Sequence, residues 1–358
     1  MYGLWFSNIA GITPCKRQLI LESCTSAEEL YGLSDAALRR LPGLETADRE
    51  RILESRRKWN LEGEWMKLKE RGIGFVTIEE AAYPQRLRNI PKPPYGLYYL
   101  GNLPDSSKRS VAIVGARGRS AYGSQIARAL AKELAQADVD VVSGMARGID
   151  ADGHMGVLDV SGRTYAVLGC GIDVCYPAQN RYLYEKIPVK GGILSEYPPG
   201  TAPRPMLFPQ RNRIISGLCE YTVVIEARSR SGSLITADYA LEQGREVYAL
   251  PGRITDELSG GCNELIRQGA GVLASVESFM EELSLSSGQS CVQMDFRKNL
   301  LEKDEQLVYS LFDFAPLGIG SLVQNGPYSL LELLGILERL EQKGWIEETV
   351  PNYYRKKL

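Results

Sequence analysis

Apolar and polar positions alternate in three textures along the chain. Over residues 1–73 apolar residues recur at helical spacing in "CKRQLILESC", "SAEELYGL" and "DRERILESRRKWNLEGEWMKLKERG", which predicts a helical N-terminal domain. Its turns "AGIT" (10–13) and "LPGL" (41–44) have the form of helix–hairpin–helix turns, whose amides can face a phosphate. A glycine in any tight interhelical turn gives the same pattern. From 74 to 284 short Val/Ile-rich runs alternate with amphipathic ones such as "YGSQIARALAKELAQA". The strand candidates are "YGLYYLG", "SVAIVG", "VDVVSG", "TYAVLG", "GILSEY", "YTVVIEA", "EVYALPG" and "AGVLAS". Strands separated by helices predict a doubly wound, mostly parallel α/β sheet.

Residues 285–298 are polar, Ser-rich and aperiodic, and read as a linker. Residues 299–358 follow as a compact unit, with helices in "KDEQLVYSLFDF" and "YSLLELLGILERLEQKGWIEE" and a last strand in "NYYRKKL". That order predicts a winged helix. Its long helix carries Glu332, Glu338 and Glu341 and few cations, so nucleic-acid binding does not follow from the fold.

Composition narrows the chemistry. The chain has 358 residues, 44% hydrophobic and 24% charged, with a net charge of −2. A polyanionic partner must therefore be held by a local patch, because the overall field does not attract it. An odd number of cysteines (7) without CxxC spacing opposes a disulfide framework or a zinc knuckle and fits a reducing compartment. The single histidine, His154, removes most His-based metal and triad chemistry. No apolar run is long enough to span a bilayer, and "MYGLWFSNIAG" lacks a basic leader segment. The expectation is a cytoplasmic protein without cofactor or metal.

In an open α/β sheet, ligands bind beyond the carboxyl ends of the strands. In "SVAIVGARGRSAYG" a strand runs into Gly115, Arg117 and Arg119, then Ser120 and Tyr122 at a helix start, a pattern suited to an anion. It is not the GxGxxG dinucleotide fingerprint. "VVSGMARGIDADGH" places Ser143, Gly144 and Arg147 at the next strand end, with Asp150 as a candidate helix cap. "LGCGIDVCYPAQNRYL" contributes Tyr176 and Arg181, and the stiff, Pro-rich "SEYPPGTAPRPMLFPQRNRIISG" delivers Phe208, Arg211, Asn212 and Arg213. In "EARSRSGSLITADYAL", Arg228 and Arg230 precede Ser231, Gly232 and Ser233, a small-residue loop able to wrap a phosphate. Arginines at several strand ends, interleaved with aromatics, suit single-stranded nucleic acid, where bases stack and phosphates pair with Arg. Arg211 and Arg213 stand two apart on a helix start and so point to different sides. One is expected to face the groove and the other to pair with a carboxylate such as Glu196.

The set "VAIVGAR…YG", "SGMARGID", "AVLGCGIDVCYP", "SEYPPGT", "FPQRNRIISGL", "SGSLITADYALEQGREVYALPG" and "LIRQGA" resembles the DNA-processing protein A family over roughly the whole chain. The resemblance implies an extended Rossmann-like domain between an N-terminal SAM-like or helix–hairpin–helix-like domain and a C-terminal winged helix. It further implies a homodimeric, non-enzymatic protein that binds incoming single-stranded DNA during natural transformation and helps load the RecA recombinase. Carried over by position, the family's Gly-Ser-Arg phosphate loop is Gly115-Ala116-Arg117, which makes Arg117 the first DNA-binding candidate. Ala178 stands where many members have Lys, and Arg181 is the candidate substitute. The rival reading is a nucleotide phosphoribohydrolase-like enzyme on a related fold, but its PGGxGTxxE loop is absent here.

Overall fold

The computed structural model describes residues 1–284, 302–312 and 316–356; the expected linker at 285–298 lies outside them. The described residues fall into two compact units, residues 1–284 apart from 120–122, and the remainder. The first is built on a nine-stranded sheet of β1 (Gly74–Thr77), β2 (Gly96–Gly101), β3 (Ser110–Val114), β4 (Asp140–Ser143), β5 (Thr164–Leu168), β6 (Gly192–Ser195), β7 (Tyr221–Val224), β8 (Glu246–Ala249) and β9 (Gly271–Val272). Their spatial order is β1-β2-β6-β5-β4-β3-β7-β8-β9. From β6 to β9 every pairing is parallel. β2 pairs antiparallel with both β1 and β6, which leaves β1 as the edge strand. The sheet is therefore mostly parallel, as the alternation of strands and helices predicts. β1, "GFVT", escapes that pattern because four residues directly after a helix show no period of their own.

Side chains alternate across the strands into two cores. Leu97, Val114, Val142, Val167, Leu194 and Val224 enter one, together with Ile214 and Ile215 of the Leu207–Gly217 helix and Ala237 and Ala240 of the Gly232–Glu242 helix. Tyr98, Ala166, Leu168 and Ile193 enter the other, where Met155 and Leu158 of the Ile149–Asp159 helix pack. The strands from β3 to β6 are buried along their whole length, so both faces are covered. The helices between Tyr2 and Glu70 have their own cluster around Trp5, Phe6, Ile9, Leu30, Leu38 and Ile52. Both glycines of the expected helix–hairpin–helix turns, Gly11 (φ 77°) and Gly43 (φ 71°), adopt the left-handed backbone that tight turns require.

The second unit runs helix, strand, helix, helix and hairpin: Lys303–Leu311, Leu317–Gly318, Ile319–Asn325, Leu330–Gln342, then Ile346–Val350 with Tyr353–Lys356. This is the element order of a winged helix. Val308, Phe312, Leu333, Ile336, Leu337 and Leu340 form its core. Three of its described cations are engaged locally: Arg339 meets Asp304 and Glu305, Lys343 meets Glu305, and Arg355 meets Glu347.

Arg213 fastens the Leu207–Gly217 helix to the segment after β6. Its Nη2 donates to both carboxylate oxygens of Glu196 at 2.8 and 2.9 Å, Nε to the Lys92 carbonyl at 3.0 Å and Nη1 to the Gln210 carbonyl at 2.9 Å. The side chain of Arg213 is only 9% exposed, so truncating it strands the Glu196 charge in a poorly hydrated place. Arg213→Ala is expected to cost roughly 3 kcal/mol in urea unfolding. Adding Glu196→Ala should recover part of that loss, because no lone charge then remains; a fully additive double variant would contradict the pairing.

His154 is fully buried. The Thr164 hydroxyl donates to the Val141 carbonyl at 2.8 Å, so it accepts from His154 Nδ1 at 2.7 Å and Nδ1 carries the proton. Burial, with Arg211 nearby, pulls the His154 pKa down to about 3. The unfolded chain protonates this ring near pH 6.5 and the folded chain does not. Its contribution to stability is complete above pH 6.5 and is lost as pH falls from there toward 3, at about 1.4 kcal/mol per pH unit. Urea melts at pH 7 and pH 5 should show a smaller acid loss for His154→Gln than for the unchanged chain.

Candidate nucleic-acid interface

From β3 the chain proceeds through β4, β5 and β6 on one side, then crosses over to β7, β8 and β9 on the other. The loops leaving β3 and β7 therefore part in opposite directions and leave a crevice at the switch point. A cavity of about 740 Å3 opens there. The β3 loop contributes Gly115, Arg117 and Gly118; the β7 loop contributes Arg228, Arg230, Ser231, Gly232 and Ser233. Tyr176, Phe208, Asn212 and the buried residues Asp150 and Arg211 also line it.

Two glycines shape this floor. Gly148 has φ 80°, and a Cβ there would lie 2.2 Å from the Ala116 carbonyl oxygen, so only glycine lets the two loops touch. A Cβ on Gly144 would lie 2.6 Å from the Arg211 guanidinium nitrogens. Asn180 braces the loop between them, its side-chain amide donating to the Met145 and Ala146 carbonyls at 2.9 and 3.1 Å.

Arg117 is an exposed cation of the groove, with its guanidinium carbon 5.7 Å from the centroid of the Phe208 ring. Phe208 stacks on Tyr176 with centroids 5.4 Å apart, and Tyr176 is 41% exposed. A cation and an accessible aromatic face thus stand side by side. Opposite them the Gly232–Glu242 helix starts, its N-terminal amides and dipole favouring an anion. The hydroxyls of Ser231 and Ser233 lie 2.8 Å apart, and Asn212 Nδ2, midway along the Leu207–Gly217 helix, donates to the Gly232 carbonyl at 3.2 Å, tying that helix to the start of the next. Arg228 and Arg230 are exposed; Arg228 meets Glu257 at 3.1 Å with both side chains mostly in water, a pairing that a phosphate can displace.

Of the other expected residues, Arg211 lines the cavity from a buried position and the rest lie outside its lining. Arg211 does not face solvent: it is 4% exposed, and its Nη1 donates to the Gly144 carbonyl at 2.8 Å and to the Val167 carbonyl. Arg213 is buried on Glu196, the partnership expected for one of the two. A helix wheel carries the signal for Arg211, since it shares the face of Ile214, Ile215 and Leu218 at i+3, i+4 and i+7. Arg119 turns onto Asp152, which Arg128 also holds, and is absent from the cavity lining. The Ser143 hydroxyl is buried on the Ile113 carbonyl at 2.6 Å. Arg147 and Arg181 are exposed outside the lining, Arg181 lying 3.7 Å from Glu185. Ser120 and Tyr122 flank the start of the Ala121–Gln136 helix, also outside the lining.

Asp150 does not cap its own helix. Its Oδ2 accepts from the amides of Gly144 and Ala146 at 3.1 and 3.4 Å, and burial holds its carboxyl above the ordinary range. Among the described residues no cluster of three or more His, Cys, Asp or Glu is arranged to hold a metal ion, and no helix is long and apolar enough to cross a membrane.

Comparison with known proteins places this crevice in a lineage. Residues 74–284 match the family model of DNA recombination-mediator protein A. Protein Smf of Synechocystis sp. is 37% identical over 316 residues, which cover 86% of this chain and 78% of that protein. The X-ray structure of DNA processing protein A from Streptococcus pneumoniae superposes with a TM-score of 0.70 at 34% identity, covering 78% of this chain and 97% of that one. The Helicobacter pylori DNA processing protein A, solved for its single-stranded DNA binding mode, gives a TM-score of 0.53 at 30% identity over 59% of this chain and 95% of that one. With the matched segment spanning the switch-point crevice and both of its loops, the chain belongs to the DNA recombination-mediator protein A family.

Proposed function

We propose that the chain binds single-stranded DNA, as described for the H. pylori relative, that the switch-point groove is where it does so, and that it acts without catalysis as a recombination mediator. In this reading it shields incoming strands during natural transformation and hands them to a RecA recombinase, working as a cytoplasmic homodimer. The observation that carries the binding is Arg117 laid over Phe208, with Tyr176 stacked behind it. A phosphate meets the guanidinium while a base covers the aromatic pair, and a duplex, whose bases are already stacked, gains only the first contact. Supporting it, the Gly232–Glu242 helix start offers amides to a second phosphate. Asp150, the carboxylate in the cavity, is occupied by the Gly144 and Ala146 amides, which disfavours the hydrolase alternative.

Fluorescence anisotropy with matched single- and double-stranded oligonucleotides tests the reading. Three exposed groove arginines, Arg117, Arg228 and Arg230, each neutralising one phosphate at roughly 0.7 per contact, give a log K against log salt slope of about −2. Single strands should bind more tightly than duplex, and equal affinity or a flat salt response would sink the proposal. Arg117→Glu should abolish binding while the thermal midpoint stays put, because an exposed arginine adds little to stability. Release of base from nucleoside monophosphates would favour the enzyme instead.

A further inference from the structure

Arg119 sits on the same loop as Arg117 yet contributes nothing to the cavity wall. Its guanidinium is drawn to the other side, where Nε and Nη2 meet the Asp152 carboxylate, the latter at 3.3 Å. Asp152 is nearly inaccessible, with 4% of its side chain exposed, so its charge must be matched by a cation. It has two. Arg128, on the Ala121–Gln136 helix, brings its Nε to Asp152 Oδ1 at 3.2 Å. Both arginines keep about two-fifths of their side chains in water, 38% for Arg119 and 43% for Arg128. Arg128 is fixed to a helix that does not reach the cavity, whereas Arg119 belongs to the loop whose preceding residues line it.

Building on the single-strand reading, we propose that Asp152 is an electrostatic latch that withholds Arg119 from the nucleic-acid backbone. One carboxylate shared by two guanidinium groups can release one and remain compensated by the other. Arg119 is the group that can leave, because it is on the loop and a backbone phosphate offers it a replacement anion. Arg128 is the group that stays and makes the release affordable to the buried carboxylate. The latch sets affinity below what the loop's two arginines would give together, which suits a protein that must later surrender its strand. Asp152 acts here as a positioning residue; it touches no DNA.

The test is binding of a labelled oligothymidylate by the full chain across a salt series, with thermal midpoints recorded for every variant. Asp152→Asn should tighten binding by about twofold to fivefold, the scale of a solvent-shared ion pair, and steepen the salt slope by about 0.7. The gain should vanish in Asp152→Asn with Arg119→Gln. Arg128→Gln should weaken binding, since Asp152 then depends on Arg119 alone, and that loss should disappear when Asp152→Asn is added. Unchanged or weaker binding by folded Asp152→Asn overturns the latch, as does a gain that survives removal of Arg119, which marks a bulk charge effect. Should Asp152→Asn not fold, Arg128→Gln still decides, and equal or tighter binding by it overturns the proposal. Failure of the unchanged chain to bind would instead count against the single-strand reading itself, so the two failures are distinct.

Discussion

A guanidinium buried at the carboxyl ends of parallel strands is the constraint around which this site is arranged. Arg211 reaches from the Leu207–Gly217 helix to the carbonyls of Gly144, just past β4, and of Val167, in β5. Burial pulls its pKa down, and the neighbouring Asp150 carboxylate opposes that. Its presence explains several neighbours at once. Residue 144 must lack a Cβ because the guanidinium lies against it, Asp150 supplies the compensating charge, and the ring of His154 stays neutral beside it. A charge placed so deep is tolerable only with all these accommodations together.

With Arg211 and Arg213 committed to the scaffold, the groove's positive character rests on a small number of exposed groups. This reconciles a net charge of −2 with the proposed anion site. The field is local, made by Arg117, Arg228 and Arg230 together with a helix start, and the buried arginines contribute rigidity to the surface that presents them. Arg119 occupies the middle ground: exposed, paired and on the right loop, yet turned from the cavity by a carboxylate. On the proposed binding role, the proportion of structural to solvent-facing arginine sets how strongly the crevice holds a polyanion and how readily it lets go.

The stacked ring pair at the rim adds a second, uncharged attraction. Phe208 closes onto Gly169, where a Cβ would lie 2.7 Å from its ring, and keeps its place between Arg117 and Tyr176. Ring and guanidinium therefore share one wall, so a ligand that satisfies both must alternate flat apolar surface with negative charge. Flexible single strands meet that demand more easily than a rigid duplex.

Much of this was legible in the residues. Runs such as "SVAIVG" and "YTVVIEA", alternating with helical stretches, determined a mostly parallel sheet, and glycines with arginines after the strands marked its carboxyl edge as the place for an anion. The chain alone also set two arginines of "RNR" in different directions, because helical geometry separates i and i+2 by about 200°. Tertiary structure decided the rest. Which strand ends adjoin depends on the order β6-β5-β4-β3-β7, which brings residues 115–118 and 228–233 together from opposite ends of the domain. Whether an arginine faces solvent, a carbonyl or a carboxylate depends on packing partners far away in sequence. Arg119 and Asp152 are 33 positions apart, Arg211 and Gly144 are 67, and no local pattern encodes either contact. Sequence names the charges; only the folded chain, by setting the distance and burial of each pair, decides which remain available to a ligand.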